Sequence, residues 1–306
     1  MSFLTVLFQM FALLIMIGTG VLAAKRGMWD SKINHCVSQM IVNIFNPLLV
    51  FSSAANAVGK IPLEMMAVVG AIAAAMFLFF ILAGAVLSPF FDQDASQRKM
   101  FQMMFVFSNL GFIGIPVVSS ILGAEYVVYV TEFVLVYNLV FYTYGLALME
   151  GRFSAASLRS MINPGNLFSI AALAVIIAGI QIPDFLKTAA AYLGNATSPL
   201  ALMAVGYTLA VSDKRKIFGN PKIYVFSLLK LIVLPLILLL VLKRLPIDAH
   251  LILVCVAMFG MPVGNMPLLI SAKKGIDCSA CTSAILVTTI LCVVTIPFLL
   301  MLVPAC

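Results

Sequence analysis

The sequence predicts an all-α polytopic membrane protein: ten transmembrane helices in two inverted five-helix repeats, with helices 4 and 9 broken. Three observations predict it. Apolar residues make up 63% of the 306-residue chain and charged residues 9%, against roughly 45–50% and about 25% in soluble proteins. Charge, proline and glycine punctuate the chain into ten apolar segments, each near the ~20 residues that a bilayer-spanning helix needs. A shift of 152 residues superposes motifs of the two halves.

A soluble fold this apolar could not cover itself with polar surface, and the mean hydropathy of +1.17 agrees. Soluble enzymes, nucleic-acid binders and secreted disulfide scaffolds are excluded. The net charge of +7 therefore marks cytoplasmic loops rather than a nucleic-acid footprint. Cys278 and Cys281 have CxxC spacing, but His35 and His250, the only histidines, are distant in sequence. The pair reads as small apolar filler rather than a metal site. No Ser/His/Asp set, metal cluster or phosphate-binding loop is present, so neither an enzyme nor a resident cofactor is expected. Transport, if that is the activity, is secondary or passive.

The segments run 4–24, 33–57, 62–88, 99–122, 126–149, 165–181, 186–211, 221–242, 249–271 and 279–303. The first has no preceding basic residue and is too long for a signal-peptide core, so it is expected to be a retained helix. The second holds Asn43, Asn46 and Pro47. The fourth reads Ser108-Asn109-Leu110-Gly111-Phe112-Ile113-Gly114-Ile115-Pro116. The fifth contains Glu132 and a polar stripe of Tyr137, Asn138, Tyr142 and Tyr144. The seventh carries Ser198-Pro199 and the eighth Lys230 and Pro235. The ninth reads Gly260-Met261-Pro262-Val263-Gly264-Asn265-Met266-Pro267. Residues 1–149 form the first repeat, 150–164 a short cytoplasmic linker with Arg152 and Arg159, and 165–306 the second repeat.

The repeat rests on several matches. Asn43-Ile44-Phe45-Asn46-Pro47-Leu48 meets Asn195-Ala196-Thr197-Ser198-Pro199-Leu200; Gly27 meets Gly179, and Gly123 meets Gly275. With a one-residue slip Pro116 meets Pro267. Five helices per repeat is an odd number, so the second copy starts from the opposite side of the membrane, as in many transporters. Odd-numbered loops hold 13 Lys and Arg against 4 in even-numbered loops. Odd loops are therefore expected in the cytoplasm and both termini outside.

Segments 4 and 9 carry the unusual chemistry. Proline removes a backbone donor and glycine tolerates the irregular dihedrals that follow. Paired Gly/Pro interruptions at matching places in two halves predict discontinuous helices. Irregular backbone at membrane depth needs polar partners or a watery cavity, and Asn109 and Asn265 are placed to supply them. Half-helix N-termini suit an anion. Single prolines such as Pro235 and Pro297 read as ordinary kinks.

At these residues the chain resembles the auxin efflux carrier family, which includes plant PIN-FORMED carriers and bacterial malate and malonate permeases. Asn109 with Gly114-Ile115-Pro116, and Pro262-Val263-Gly264 with Pro267, look like its two crossover segments. Pro47-Leu48-Leu49 is similar to its second-helix proline motif, Lys230 with Pro235 to its basic residue before a proline in helix 8, and Asn163-Pro164 to the start of its sixth helix. The resemblance implies a bile-acid-symporter-like fold in which broken helices 4 and 9 cross, a scaffold domain and a transport domain, and transport of small organic anions, mono- or dicarboxylates. The long central loop of the plant carriers is missing here, and Asn265 replaces an expected apolar residue. A bacterial member in the inner (plasma) membrane is implied, with auxin in doubt as substrate and a homodimer as one admissible assembly.

The expected substrate-binding residues are Asn109, Gly111, Gly114, Asn138, Lys230, Pro262, Gly264 and Asn265. Asn43, Asn46, Pro47, Pro116, Ser198, Pro199 and Pro267 are expected to line the cavity or support its helices. Lys230, about nine residues into its span, reads either as a functional charge or as a side chain snorkelling to the interface. Glu132 reads either as a proton site or as an interfacial carboxylate near the outer surface. The coupling ion, proton or sodium, stays open. Two other readings remain: a sodium-coupled bile-acid-type symporter, weakened because 105–120 and 255–270 contain no acidic residue, and a ligand-binding membrane sensor, weakened because no output domain is visible.

Overall fold

Aspartate and asparagine start several of the helices. Asp30 accepts from Ile33 N–H, Asp94 from Ser96 and Gln97 N–H, Asn220 from Lys222 N–H and Asp248 from His250 N–H. Each satisfies a donor that the first helical turn leaves orphaned. The computed structural model describes residues 3–59, 62–123, 126–151, 162, 164–213 and 218–303. In chain order the helices are α1 (Phe3–Lys25), α2 (Ser31–Met40), α3 (Asn46–Ala57), α4 (Leu63–Leu87), α5 (Ala95–Val106), α6 (Ile115–Ile121), α7 (Val127–Val140), α8 (Leu146–Glu150), α9 (Pro164–Ile177), α10 (Asp184–Asn195), α11 (Thr197–Val211), α12 (Pro221–Leu228), α13 (Leu234–Leu242), α14 (Ala249–Phe259), α15 (Met266–Lys273) and α16 (Ser279–Met301). Among the described residues the only extended pairing is one antiparallel bridge, Ser108 with Val263. Asn163, Arg152 and Arg159 lie outside the described residues.

Among the described residues, five continuous helical stretches are long and apolar enough to cross a membrane: Ser31–Asn56, Glu64–Phe90, Val127–Glu150, Pro221–Leu242 and Ser279–Met301. Shorter apolar helices cover Met10–Lys25, Leu110–Ile121, Leu167–Ile177 and Ala249–Phe259.

Among the described residues four helices contain a widened π turn: Ile41–Phe45, Leu110–Gly114, Phe141–Gly145 and Leu229–Val233. Three of these stand just before a proline. Asn46 N–H reaches back five residues to the Ile41 carbonyl, Ile115 to Leu110, and Leu234 to Leu229, and Pro47, Pro116 and Pro235 follow directly. A proline ring collides with the carbonyl four residues back. The extra residue in the turn moves that carbonyl away, so the rod continues. Pro235 is thus not the ordinary kink that its sequence suggests. Pro199, matched to Pro47 by the repeat, is accommodated differently: the rod parts at Ala196, between α10 and α11.

The repeat-matched Gly27 and Gly179 adopt matching conformations, with φ of 70° and 64°; Gly123 and Gly275 share only a positive φ, at 118° and 69°. Gly27 and Gly179 close α1 and α9 with the same pair of bonds: Gly27 N–H to Ala24 and Met28 N–H to Ala23, Gly179 N–H to Ile176 and Ile180 N–H to Val175. This is the left-handed glycine cap of a helix C-terminus.

The helices pack in two groups. α1 lies along α11, and α3 lies against α9 and α10. In the other group α4 packs on α5 and α7, α12 and α14 on α16, and α13 on α14. Contacts between the groups run from α1 to α16, from α3 and α9 to α7, and from α11 to the π turn before α6.

Candidate functional site: the crossing of two broken helices

α5 stops at Val106 and α14 at Phe259. Each chain then runs non-helically before the next helix begins. The two interruptions meet back to back. Asn109 N–H donates to the Pro262 carbonyl at 2.8 Å, and Gly264 N–H to the Phe107 carbonyl at 2.9 Å. Each broken segment thereby satisfies backbone groups that the other helix has lost, as buried backbone must. Pro262 suits its place because only its carbonyl is used. Gly264 suits its place because a Cβ there would stand 2.9 Å from the Ser108 carbonyl oxygen and 3.1 Å from that of Phe107. A third support comes from α16: Val263 N–H donates to Thr288 Oγ1 at 3.1 Å, and that hydroxyl donates to the Ala284 carbonyl at 2.6 Å.

Lys230 completes the knot. It is fully buried, and its Nζ donates to the Phe105 carbonyl at 2.6 Å and to Ser108 Oγ at 2.7 Å. The Phe80 ring covers it, with Nζ 4.1 Å from the ring centroid. This side chain does not snorkel. Its Nζ sits at the C-terminal end of α5, where the helix dipole is negative and unpaired carbonyls gather.

Asn109 is 5% exposed. Its Oδ1 accepts from Phe112 N–H at 3.2 Å, capping the helix that restarts after the break. Among the described residues its Nδ2 makes no hydrogen bond, so that donor remains for a ligand. Beside it, Gly111 faces Asn46: a Cβ on Gly111 would lie 3.7 Å from Asn46 Nδ2. Asn46 Oδ1 is buried without a partner among the described residues. Tyr137 packs edge-on against Phe107, with ring centroids 5.2 Å apart.

The other expected residues divide. Gly114, Pro116, Pro262, Gly264 and Pro267 are all buried at or beside the break. Asn265 is exposed, and its carbonyl accepts from Leu269 N–H at the start of α15. Asn138 is half-buried on α7. Asn43 is tied to its own helix through Gln39, which leaves it bracing α2 rather than serving the crossing. Ser198 and Pro199 are half-buried at the start of α11. Tyr144 accepts from Gln102 Nε2, a link from the polar stripe to α5. Glu132 is buried on α7, 6% exposed. Cys281 is buried in α16, and Cys278 sits at that helix's start with its Sγ 3.1 Å from the Ile276 carbonyl. Burial, and then the Asp277 carboxylate, push the Cys278 thiol up.

Sequence reasoning missed Ser108 and Thr288 as partners. Ser108 directly precedes Asn109, and Thr288-Thr289 is a polar doublet in an apolar helix. Both signals were visible, but neither residue type is rare enough in membrane helices to stand out.

A family model described as membrane transport protein matches residues 5–158 and 154–300. No curated protein is significantly similar to the chain.

Proposed function

Since the chain belongs to the auxin efflux carrier family of membrane transport proteins, we propose that this multi-pass membrane protein moves small organic anions, mono- or dicarboxylates, by alternating access around the crossing of its two broken helices. One observation carries the reading: Asn109, a buried amide on the helix break, uses its oxygen internally and keeps its Nδ2 donor available. The half-helices that restart at Leu110 and Met266 bring two positive N-terminal ends toward the same crossing. An amide donor between two such ends favours a carboxylate.

In this reading the chain has ten spans in two inverted repeats, residues 1–149 and 165–306, joined by 150–164. The matched glycine caps at Gly27 and Gly179 support it. The group containing α1, α3 and α9–α11 is the scaffold. The group containing α4, α5, α7 and α12–α16 carries the crossing, and substrate with it. The knot at Lys230 and Thr288 makes the crossing a rigid unit within that moving group. The protein resides in a bacterial inner membrane with both termini outside.

The test is uptake of radiolabelled acetate, malonate and malate into proteoliposomes containing the purified protein. Saturable uptake that excess unlabelled carboxylate abolishes is expected. Uptake no faster than into protein-free liposomes for every carboxylate, with labelled amino acid or sugar entering instead, would overturn the anion reading.

A further inference from the structure

Glu132 belongs to no part of the crossing described above. It lies on α7, 6% exposed, and its Oε1 has no hydrogen-bond partner among the described residues. It faces a groove of about 250 Å³ that opens between the two helix groups. Gly70 on α4 and Val136 on α7 form one wall, Leu173 and Ile177 on α9 the other. At Gly70 the helix offers bare backbone to the carboxyl: a Cβ there would stand 3.6 Å from Glu132 Oε2.

What surrounds this carboxyl decides its chemistry. On α7 itself Tyr129 lies one turn earlier, and on α14 Cys255 is within its electrostatic reach. Farther out are Asp248 and His250 at the start of α14, Glu64 at the start of α4, and Tyr142 and Tyr144 in the π turn after α7. α3, α6, α9 and the π turn before α6 carry no titratable residue, and none of the helices packed on α7 carries Lys or Arg. Among the described residues no Lys or Arg on these helices pairs with the carboxylate, and the Gly70 backbone is its one hydrogen-bonding neighbour. Burying an unpaired carboxylate ion costs far more than burying the carboxylic acid. A seam closed against water would therefore favour the protonated acid, and a seam open to water would solvate the ion and release the proton.

We propose that Glu132 is a proton-binding site at the seam between the scaffold and the moving group, and that its proton travels with the transported anion. The proposal rests on the anion-transport reading above and deepens it by naming the coupling ion. The step is a simple protonation: a carboxylate oxygen takes a proton from water on one side, the neutral acid crosses with the closed seam, and the proton is returned on the other. One proton with one monoanion makes the cycle electroneutral, so an inward proton gradient drives the anion inward. The seam is the place for such a site because a site whose hydration changes with the relative position of the groups is what links protonation to movement.

Two measurements on purified full-length protein test this. The first is infrared difference spectroscopy on stepping the pH. A protonated-carboxyl band that is present in wild type and absent in Glu132→Gln is expected; persistence of the same band in Glu132→Gln overturns the proton site. The second uses proteoliposomes and the same labelled carboxylates, comparing accumulation driven by a pH gradient with counterflow at equal pH. Glu132→Gln is expected to lose the gradient-driven accumulation while counterflow persists. Accumulation in Glu132→Gln that still follows the pH gradient overturns the coupling. If instead the infrared band belongs to Glu132 but wild type moves no carboxylate under any gradient, the anion reading fails and the coupling fails with it, while the proton site itself stands.

Discussion

The Lys230 ammonium occupies the hydrogen-bonding position that Asn109 abandons. In an unbroken helix the Phe105 carbonyl would accept from the N–H four residues on, which is Asn109. That N–H goes instead to the Pro262 carbonyl of the other broken helix, and Nζ of Lys230 donates to Phe105 at 2.6 Å. The lysine is therefore part of the break's architecture: the crossing can exist because a side chain from α12–α13 replaces the bond the crossing removes.

Lys230→Met follows directly. The thioether fills the space but donates nothing, and it leaves the Phe105 carbonyl and Ser108 Oγ without their charged donor. An orphaned buried acceptor costs about 1–3 kcal/mol. The variant should unfold at lower temperature in detergent and lose carboxylate uptake in parallel. Lys230→Arg should not restore either property, because a planar guanidinium under Phe80 cannot reproduce the compact ammonium. Uptake lost at unchanged melting temperature would move Lys230 from brace to anion ligand.

Gly264→Ala should be far more damaging than Gly114→Ala. At Gly264 the added methyl meets backbone, 2.9 Å from the Ser108 oxygen, and the backbone cannot yield without separating the pair formed with Phe107 and Asn109. At Gly114 the nearest atom is Met258 Cε at 3.2 Å, the end of a flexible side chain. Yield of monodisperse protein and its thermal midpoint check the contrast. Equal tolerance of both methyl groups would deny the tight pairing its role.

The places where the chain breaks were legible because Gly, Pro and Asn cluster where helix geometry forbids continuation. What joins the breaks was not. Which backbone N–H meets which carbonyl depends on two segments more than 150 residues apart in sequence, Asn109 with Pro262. No local pattern encodes that register. Lys230 drew notice through the cost of its charge, yet its long stem left burial and snorkelling equally open. The π turns were invisible for a similar reason. A proline signals that a helix must adjust, and the choice between a kink, a widened turn at Ile41–Phe45 and a parting at Ala196 is made by neighbouring helices.

The proposed membrane orientation rests on the basic-residue bias and is open to a direct test. In a cysteine-free background, Lys274→Cys and Lys243→Cys each place a thiol at an exposed loop position. An impermeant maleimide should label residue 243 in intact cells and residue 274 only after permeabilisation. The reverse pattern would place both termini in the cytoplasm.

Asn109→Ala tests the crossing as the substrate site. The amide has two functions: Oδ1 caps Phe112 N–H at 3.2 Å, and Nδ2 faces no protein partner among the described residues. Alanine removes both. The lost cap leaves a part-buried N–H unsatisfied, at up to about 1–3 kcal/mol of stability. Loss of the Nδ2 contact to a carboxylate should add a binding penalty of similar size, which is ~5–100-fold in Kd because 1.4 kcal/mol is about tenfold. Asn109→Asp separates the two roles. Its carboxylate oxygen can still accept from Phe112 N–H, so stability should recover toward wild type. Its negative charge faces the substrate's own, so affinity should fall below that of the alanine variant. Calorimetric titration of malonate into monodisperse protein, paired with thermal midpoints, reads both quantities. Wild-type affinity in Asn109→Ala and Asn109→Asp together would remove the crossing from consideration as the place where the anion binds.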